Sequence, residues 1–137
     1  MKIITFSLIL FTLFNCEKPQ PNFLFIVVDD LGYRDLSVTG SDFYETPNID
    51  KIAQEGTLFT QGYANASVCS PSRASLLTGV YPTVHGITDW IGARYGTEWR
   101  GVGRKTQLLP SEYVKHLPFE MTTLPEVFKA QTYKTFF

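Results

Sequence analysis

Residues 23–28, Phe23-Leu24-Phe25-Ile26-Val27-Val28, form an unbroken apolar run whose second half is β-branched. A strand with one wet face alternates polar and apolar residues. This run has no polar position, so both of its faces must be covered, which is the pattern of a parallel sheet sheltered by helices. It ends abruptly at Asp29-Asp30-Leu31-Gly32. Thr46 then reads as an N-cap with Pro47 at the first helical position. Ile49, Ile52 and Ala53 share one helical face, and Gly56 stands where a helix would stop. Residues 57–63 read as a second strand, and strand, helix, strand in this order predicts an α/β unit. Ser70 and Pro71 signal another helix, running through Ala74, Leu76 and Leu77 to Gly79. A last helix opens at Thr123, where Glu126 three residues on makes a capping box, with Leu124, Val127 and Phe128 on one face. Residues 80–118 between these helices are rich in Gly, Pro and aromatics without periodicity. They are expected to form a long loop, the kind of segment that commonly carries function.

The chain has 137 residues, 44% of them hydrophobic, enough for a packed core in one ordinary domain or a piece of a larger one. Twelve Lys+Arg against thirteen Asp+Glu give a net charge of −1, which excludes the basic patch that nucleic-acid binders carry. Lys2 followed by an apolar stretch over residues 3–14 has the form of a secretory signal, because a membrane span needs about 20 apolar residues. Residues 1–15 are therefore expected to direct export, to the periplasm, the outer membrane or the medium. Leu13-Phe14-Asn15-Cys16 resembles a bacterial lipobox, in which Cys16 is lipidated; an ordinary cleaved signal is the alternative. A membrane contact is expected only through that lipid anchor. Two cysteines, Cys16 and Cys69, are too few for a disulfide framework, and Cys69 is left without a structural partner.

Two segments carry the chemistry. Asp29 and Asp30 stand at the C-terminal end of the predicted strand, where α/β folds place ligand sites. Adjacent carboxylates repel unless a cation lies between them, and a hard divalent ion fits; a pair of solvated turn residues is the alternative. Cys69-Ser70-Pro71-Ser72-Arg73 places a cysteine just ahead of a helix N-terminus if Ser70 is the N-cap, and unpaired N–H groups there favour an anion. Arg73 in that first turn is locally unfavourable, which suggests that it serves an anionic partner or the carboxylates. From spacing alone, a small buried Cys beside a surface Arg is the default reading.

The stretch from Pro21 through Asp29-Asp30-Leu31-Gly32-Tyr33, then Thr46-Pro47-Asn48-Ile49-Asp50, then Cys69-Ser70-Pro71-Ser72-Arg73-Ala74-Ser75-Leu76-Leu77-Thr78-Gly79 resembles the type I sulfatases of the alkaline-phosphatase superfamily. The resemblance implies an α/β/α sandwich with a mostly parallel sheet, of which residues 16–137 would be the N-terminal portion. It implies that Cys69 is oxidised by a separate maturation enzyme to Cα-formylglycine, with Ser70, Pro71, Ser72 and Arg73 completing the sequence that enzyme reads. A hydrated aldehyde offers two hydroxyls on one carbon. One attacks sulfur and displaces the alcohol; the other then loses its proton and expels sulfate. The family uses a calcium ion as Lewis acid and template, and Asp29, Asp30 and the modified Cys69 match three of its ligands. Arg73 matches the arginine that steadies the formylglycine. The implied substrate is a sulfated small molecule or glycan. The nearest alternatives are a phosphonate or phosphate ester hydrolase of the same superfamily and a non-catalytic remnant.

His85-Gly86 follows the cysteine helix as in the family and reads as structural. Trp90 and Arg94 could contact substrate or pack against another part of the protein. Family members run to several hundred residues, and after the last helix they usually read Gly-Tyr-x-Thr, where this chain has Thr132-Tyr133-Lys134-Thr135. Two carboxylates and one modified residue underfill a calcium site that wants six to eight oxygens. By itself the chain is expected to be poorly soluble, its apolar strand edge exposed, and to hydrolyse no sulfate ester. A monomeric sample that cleaves an aryl sulfate would overturn that expectation.

Overall fold

The computed structural model describes residues 19–103 and 105–136. The predicted signal over residues 1–15 and the lipidation at Cys16 lie outside the described residues. The chain divides into two units, residues 1–31 and 32–137, and each is taken by itself.

In the first unit, residues 19–28 have no regular secondary structure and 29–30 make a turn. Side chains 23–28 remain between 51% and 87% exposed. No strand occurs among the described residues, so neither 23–28 nor 57–63 forms the expected sheet; the second of these turns at residues 60–61. The physical reason is that a strand exists only as part of a ladder. Apolar, β-branched composition gives a segment the extended backbone, but a neighbour must supply the hydrogen bonds.

The second unit is built from short helices. Two 3-10 turns, Tyr33–Asp35 and Ser37–Thr39, precede α1, Pro47–Glu55, which has Thr46 as N-cap, Pro47 first, and Gly56 as C-cap, as the sequence predicts. The Thr46 hydroxyl does not turn to the first-turn amides, as a simple cap would. It donates to Asp50 Oδ1 (2.9 Å) and accepts the Ser37 N–H (3.0 Å). Asp50 also accepts from the Ser37 hydroxyl (2.5 Å) and the Val38 N–H (3.1 Å), so one carboxylate ties the 37–39 turn to the start of α1.

These bonds, the Ser37 hydroxyl foremost, hold the Asp50 carboxyl below the usual aspartate range; partial desolvation opposes them, and the Thr46 and Val38 donors add to them. A depressed folded-state pKa means stabilisation that is present above the unfolded-state value and lost as pH falls through the folded one. The melting-temperature gap between the wild-type chain and Asp50→Asn should therefore close as pH is lowered through and below the ordinary aspartate range. A gap that stays constant down to the acid limit of folding would show that the network does not depend on the charge.

The second helix, α2, spans Cys69–Thr78 and stops at Gly79. It packs against α3, Pro82–His85, and α4, Leu124–Ala130. The segment from 80 to 118 is less featureless than its sequence suggests. It contains α3 and a 3-10 helix over Gly96–Val102, and it supplies most of the core. Ala74 and Ser75 of α2 are buried with His85, Ile87, Ala93 and Tyr113. Gly86 ends α3 with φ +76, and a Cβ there would stand 2.7 Å from Val114 Cγ2. Only glycine allows both the left-handed turn and that approach. Val114 N–H then bonds the Gly86 carbonyl (2.8 Å).

Tyr113 is the hub of this segment. Its hydroxyl accepts the Gly92 N–H (3.1 Å) and donates toward the carbonyls of Trp90 (2.9 Å) and Ala93 (3.0 Å). Its ring meets Tyr95 edge-to-face at 5.9 Å. Tyr113→Phe keeps the ring and strands these groups, which should cost about 1–3 kcal/mol in a urea melt. A loss within about 0.5 kcal/mol, typical of surface changes, would show that the hydroxyl is not what holds the loop.

The end of α4 shows a local conflict. Glu126 accepts the Thr123 N–H (2.7 Å), as the capping box requires, and this bond chiefly holds its carboxyl below the usual glutamate range. At the other end, Thr132 N–H bonds the Lys129 carbonyl and Tyr133 N–H the Phe128 carbonyl, both at 3.1 Å. The Phe128 and Tyr133 rings meet at 5.1 Å. This is a Schellman motif, which wants glycine at the left-handed position. Here a β-branched residue occupies it, Thr132 at φ +67. Thr132→Gly should therefore stabilise the chain by about 1 kcal/mol, the left-handed penalty outweighing glycine's extra unfolded-state entropy. A denaturation midpoint that falls instead would place the strain elsewhere.

Candidate active site

The residues expected to carry chemistry fall in both units. Asp29 and Asp30 form the exposed turn of the first, with Asp30 at φ +54, a left-handed conformation that aspartate tolerates better than most residues. Cys69, Ser70, Pro71, Ser72 and Arg73 open α2 in the second.

The helix begins two residues earlier than the sequence suggests. Val68, extended at φ −136 and ψ 159, is the N-cap, and Cys69 is the first helical residue. Ser70 is thus not the cap. The Val68 carbonyl accepts the Ser72 N–H (3.4 Å), and the Ser72 hydroxyl reaches the carbonyls of Val68 (2.8 Å) and Ala66 (2.9 Å). Those bonds fasten the approach loop and start the helix without Ser70. The Ser70 hydroxyl is engaged by another partner, the Ile91 N–H at 3.0 Å. Pro71, third in the helix and almost completely buried, lacks an N–H where none is needed.

Starting at Cys69 also moves Arg73 out of the first turn. It lies one full turn on, on the same face as Cys69, where the unfavourable effect of the helix dipole on a cation has largely faded. The placement therefore costs little, contrary to the sequence expectation. Cys69 itself is exposed and in no disulfide. The N–H groups of Cys69 and Ser70 belong to the first turn and have no intrahelical acceptor. The site thus presents a reachable sulfur atom beside open amide donors, with a guanidinium one turn above.

His85 belongs to the core. It is 1% exposed; its Nδ1 accepts the Ile87 N–H (3.1 Å) and its Nε2 lies 3.1 Å from Ser75 Oγ. Accepting at Nδ1 fixes the proton of the neutral ring on Nε2, which then donates to Ser75. At that burial the ring is closed to substrate. An open hollow of about 530 Å³ lined by Gly86, Thr88 and residues 111–114 includes none of Cys69, Ser70 or Arg73, and is not the site.

For a metal, Asp29 and Asp30 have the right donor chemistry for a hard cation but too few oxygens for calcium. Among the described residues, no group of three or more His, Cys, Asp or Glu side chains could hold an ion. Sequence reasoning missed Ser75, Tyr113 and the Ser37–Asp50 pair. Of these only Asp50 left a trace, its spacing of four from the Thr46 cap.

A helix opening on an accessible cysteine, with proline buried at its third position and arginine one turn on, defines the class of proteins built around a Cys-x-Pro-x-Arg helix. Within it, the chain belongs to the sulfatase family, whose family model matches residues 21–137. It is 40% identical over 116 residues to N-acetylgalactosamine-6-sulfatase of Homo sapiens, covering 84% of this chain and 20% of that protein. It is 39% identical over 117 residues to steryl-sulfatase of Rattus norvegicus, covering 85% and 18%. With arylsulfatase H of Canis lupus familiaris the identity is 45% over 85 residues, covering 62% and 15%. The chain thus spans 20% or less of the length of these curated relatives. Family membership implies an alkaline-phosphatase-like α/β fold, to which the described residues contribute helices.

Proposed function

We propose that this chain is the N-terminal portion of a sulfuric ester hydrolase whose nucleophile derives from Cys69. The observation that carries the reading is the placement of Cys69, exposed at the first position of α2 in a chain of the sulfatase family. Oxidised to Cα-formylglycine, the residue would supply a hydroxyl nucleophile. The amides of Cys69 and Ser70 belong to the first turn of α2, where an anion such as sulfate is favoured. Arg73, on the same face, holds the modified side chain and offsets the charge that develops on the ester oxygens. Asp29 and Asp30 would be two of the ligands of a calcium ion, which supplies Lewis-acid polarisation when bound; the proposal places its other oxygen donors in the part of the relatives that has no counterpart here. The apolar run over residues 3–14 after Lys2 supports export, with Cys16 as a lipid anchor in the periplasm or outer membrane. The names of the relatives support sulfated sugars, sterols or aryl alcohols as the class of substrate.

The test is a pair of measurements on the intact protein produced with a formylglycine-generating enzyme. Mass spectrometry of the peptide containing Cys69 should find an aldehyde in place of the thiol, and the same preparation should release sulfate from 4-nitrophenyl sulfate. A free thiol throughout, with no hydrolysis, would leave a non-catalytic remnant. Faster turnover of phosphate or phosphonate esters than of sulfate esters would move the chain to the neighbouring activity.

A further inference from the structure

The loop over residues 90–93 is tied to the start of α2. Ile91 N–H donates to Ser70 Oγ at 3.0 Å, and Ser70 is the neighbour of Cys69. The same loop is held from its other side by the Tyr113 hydroxyl, through Gly92 N–H and the carbonyls of Trp90 and Ala93. Ala93 N–H closes the turn on the Trp90 carbonyl (2.9 Å), and Trp90 N–H is taken by Asp89 Oδ1 (2.8 Å). Gly92 sits at φ +112, and a Cβ there would stand 2.8 Å from Trp90 Cζ3. The six-membered edge of the indole therefore rests directly on the glycine backbone. With the loop beneath it held by these bonds, Trp90 is still 49% exposed.

A core tryptophan would be covered, and a solvated one would have no need of such a cradle. A large aromatic face that is already ordered loses little entropy when a ring is laid on it, which is what makes tryptophan effective at recognition. We propose that Trp90 is a specificity-determining residue of the Cys69 site, its open face stacking on the ring of the alcohol that leaves when the ester is cleaved. This rests on the sulfatase reading. The ligand chemistry is a flat-sided ring, either aryl or pyranose.

The experiment compares the intact, matured protein with Trp90→Ala and Trp90→Phe on three esters: 4-nitrophenyl sulfate, a monosaccharide sulfated on a ring carbon, and an acyclic alkyl sulfate. Trp90→Ala should raise KM about tenfold for a ring ester, the size of one stacking contact. It should leave the acyclic ester unchanged, and Trp90→Phe should recover most of the loss. An effect on the aryl ester alone or the sugar ester alone supports the proposal and identifies the ring. An equal effect on all three, the signature of a merely structural role, or no effect on any, overturns it. The same three alcohols are also presented as phosphate esters. If the wild type cleaves only these, the sulfatase reading fails while Trp90 is judged by the same ring-against-acyclic comparison. A wild type inert to both series overturns both.

Discussion

Replacing Cys69 with alanine is expected to lower sulfate ester hydrolysis by the intact protein at least about 10⁴-fold, to the level left by binding and electrostatics alone. The expectation follows from the position of the residue. In the proposed mechanism the nucleophile is made from Cys69 at the exposed first residue of α2, where a helix start favours an anion, and the neighbouring hydroxyls of α2 are engaged elsewhere. The Ser70 hydroxyl is committed to Ile91 and that of Ser72 to the carbonyls of Ala66 and Val68. Because the Cys69 side chain is exposed, Cys69→Ala should change the denaturation midpoint by no more than an ordinary surface substitution, within about 0.5 kcal/mol. Arg73→Ala should lie between, losing about 10²–10³ in kcat, the size of one lost stabilising donor. Steady-state assays with 4-nitrophenyl sulfate decide the matter, and a Cys69→Ala protein keeping a tenth of wild-type activity would remove this residue from the chemistry.

The second large effect is on stability. His85→Ala should cost about 3–5 kcal/mol, because it opens a cavity in the best-buried part of the unit and also strands two polar groups. Ile87 N–H loses its acceptor at Nδ1, and Ser75 Oγ loses its donor at Nε2. A domain commonly has only about 5–15 kcal/mol in total, so the variant should be largely unfolded at moderate urea concentration. His85→Asn, whose amide oxygen can approach the place of Nδ1, should lose less. A nitrogen-15 NMR spectrum of the wild type should show the proton on Nε2. Equal stability of the alanine variant and the wild type would mean that the 85–114 segment is not organised around this ring.

Both expectations bear on how much could be read from the residues. Helix boundaries were legible where a terminus is decided locally. Thr46-Pro47 starts α1, Gly56 and Gly79 stop α1 and α2, and Thr123 with Glu126 starts α4. In each case a side chain or a missing Cβ acts within four residues of its own position. The start of α2 lies two residues ahead of its sequence signal because a distant partner intervenes: Ile91 claims the hydroxyl of Ser70, and Val68 takes over as the cap. The 80–118 segment has no period because its order comes from single hub residues, His85 and Tyr113, whose partners lie up to 23 residues away. No window of local pattern contains both ends of such a bond.

The sequence by itself determined the family, the Cys69–Arg73 motif and most helix ends, since these reside in residue identity and short-range spacing. Tertiary structure decided that Cys69 is exposed at the first helical position, that Arg73 stands beyond the first turn and so costs little, which partners His85 has in the core, and that the loop carrying Trp90 is tied to the motif through Ile91 and Ser70. It also decided that residues 23–28, however strand-like in composition, form no ladder among the described residues. Helices satisfy their backbone bonds internally and so can be read from their own residues, whereas a sheet borrows those bonds from segments elsewhere.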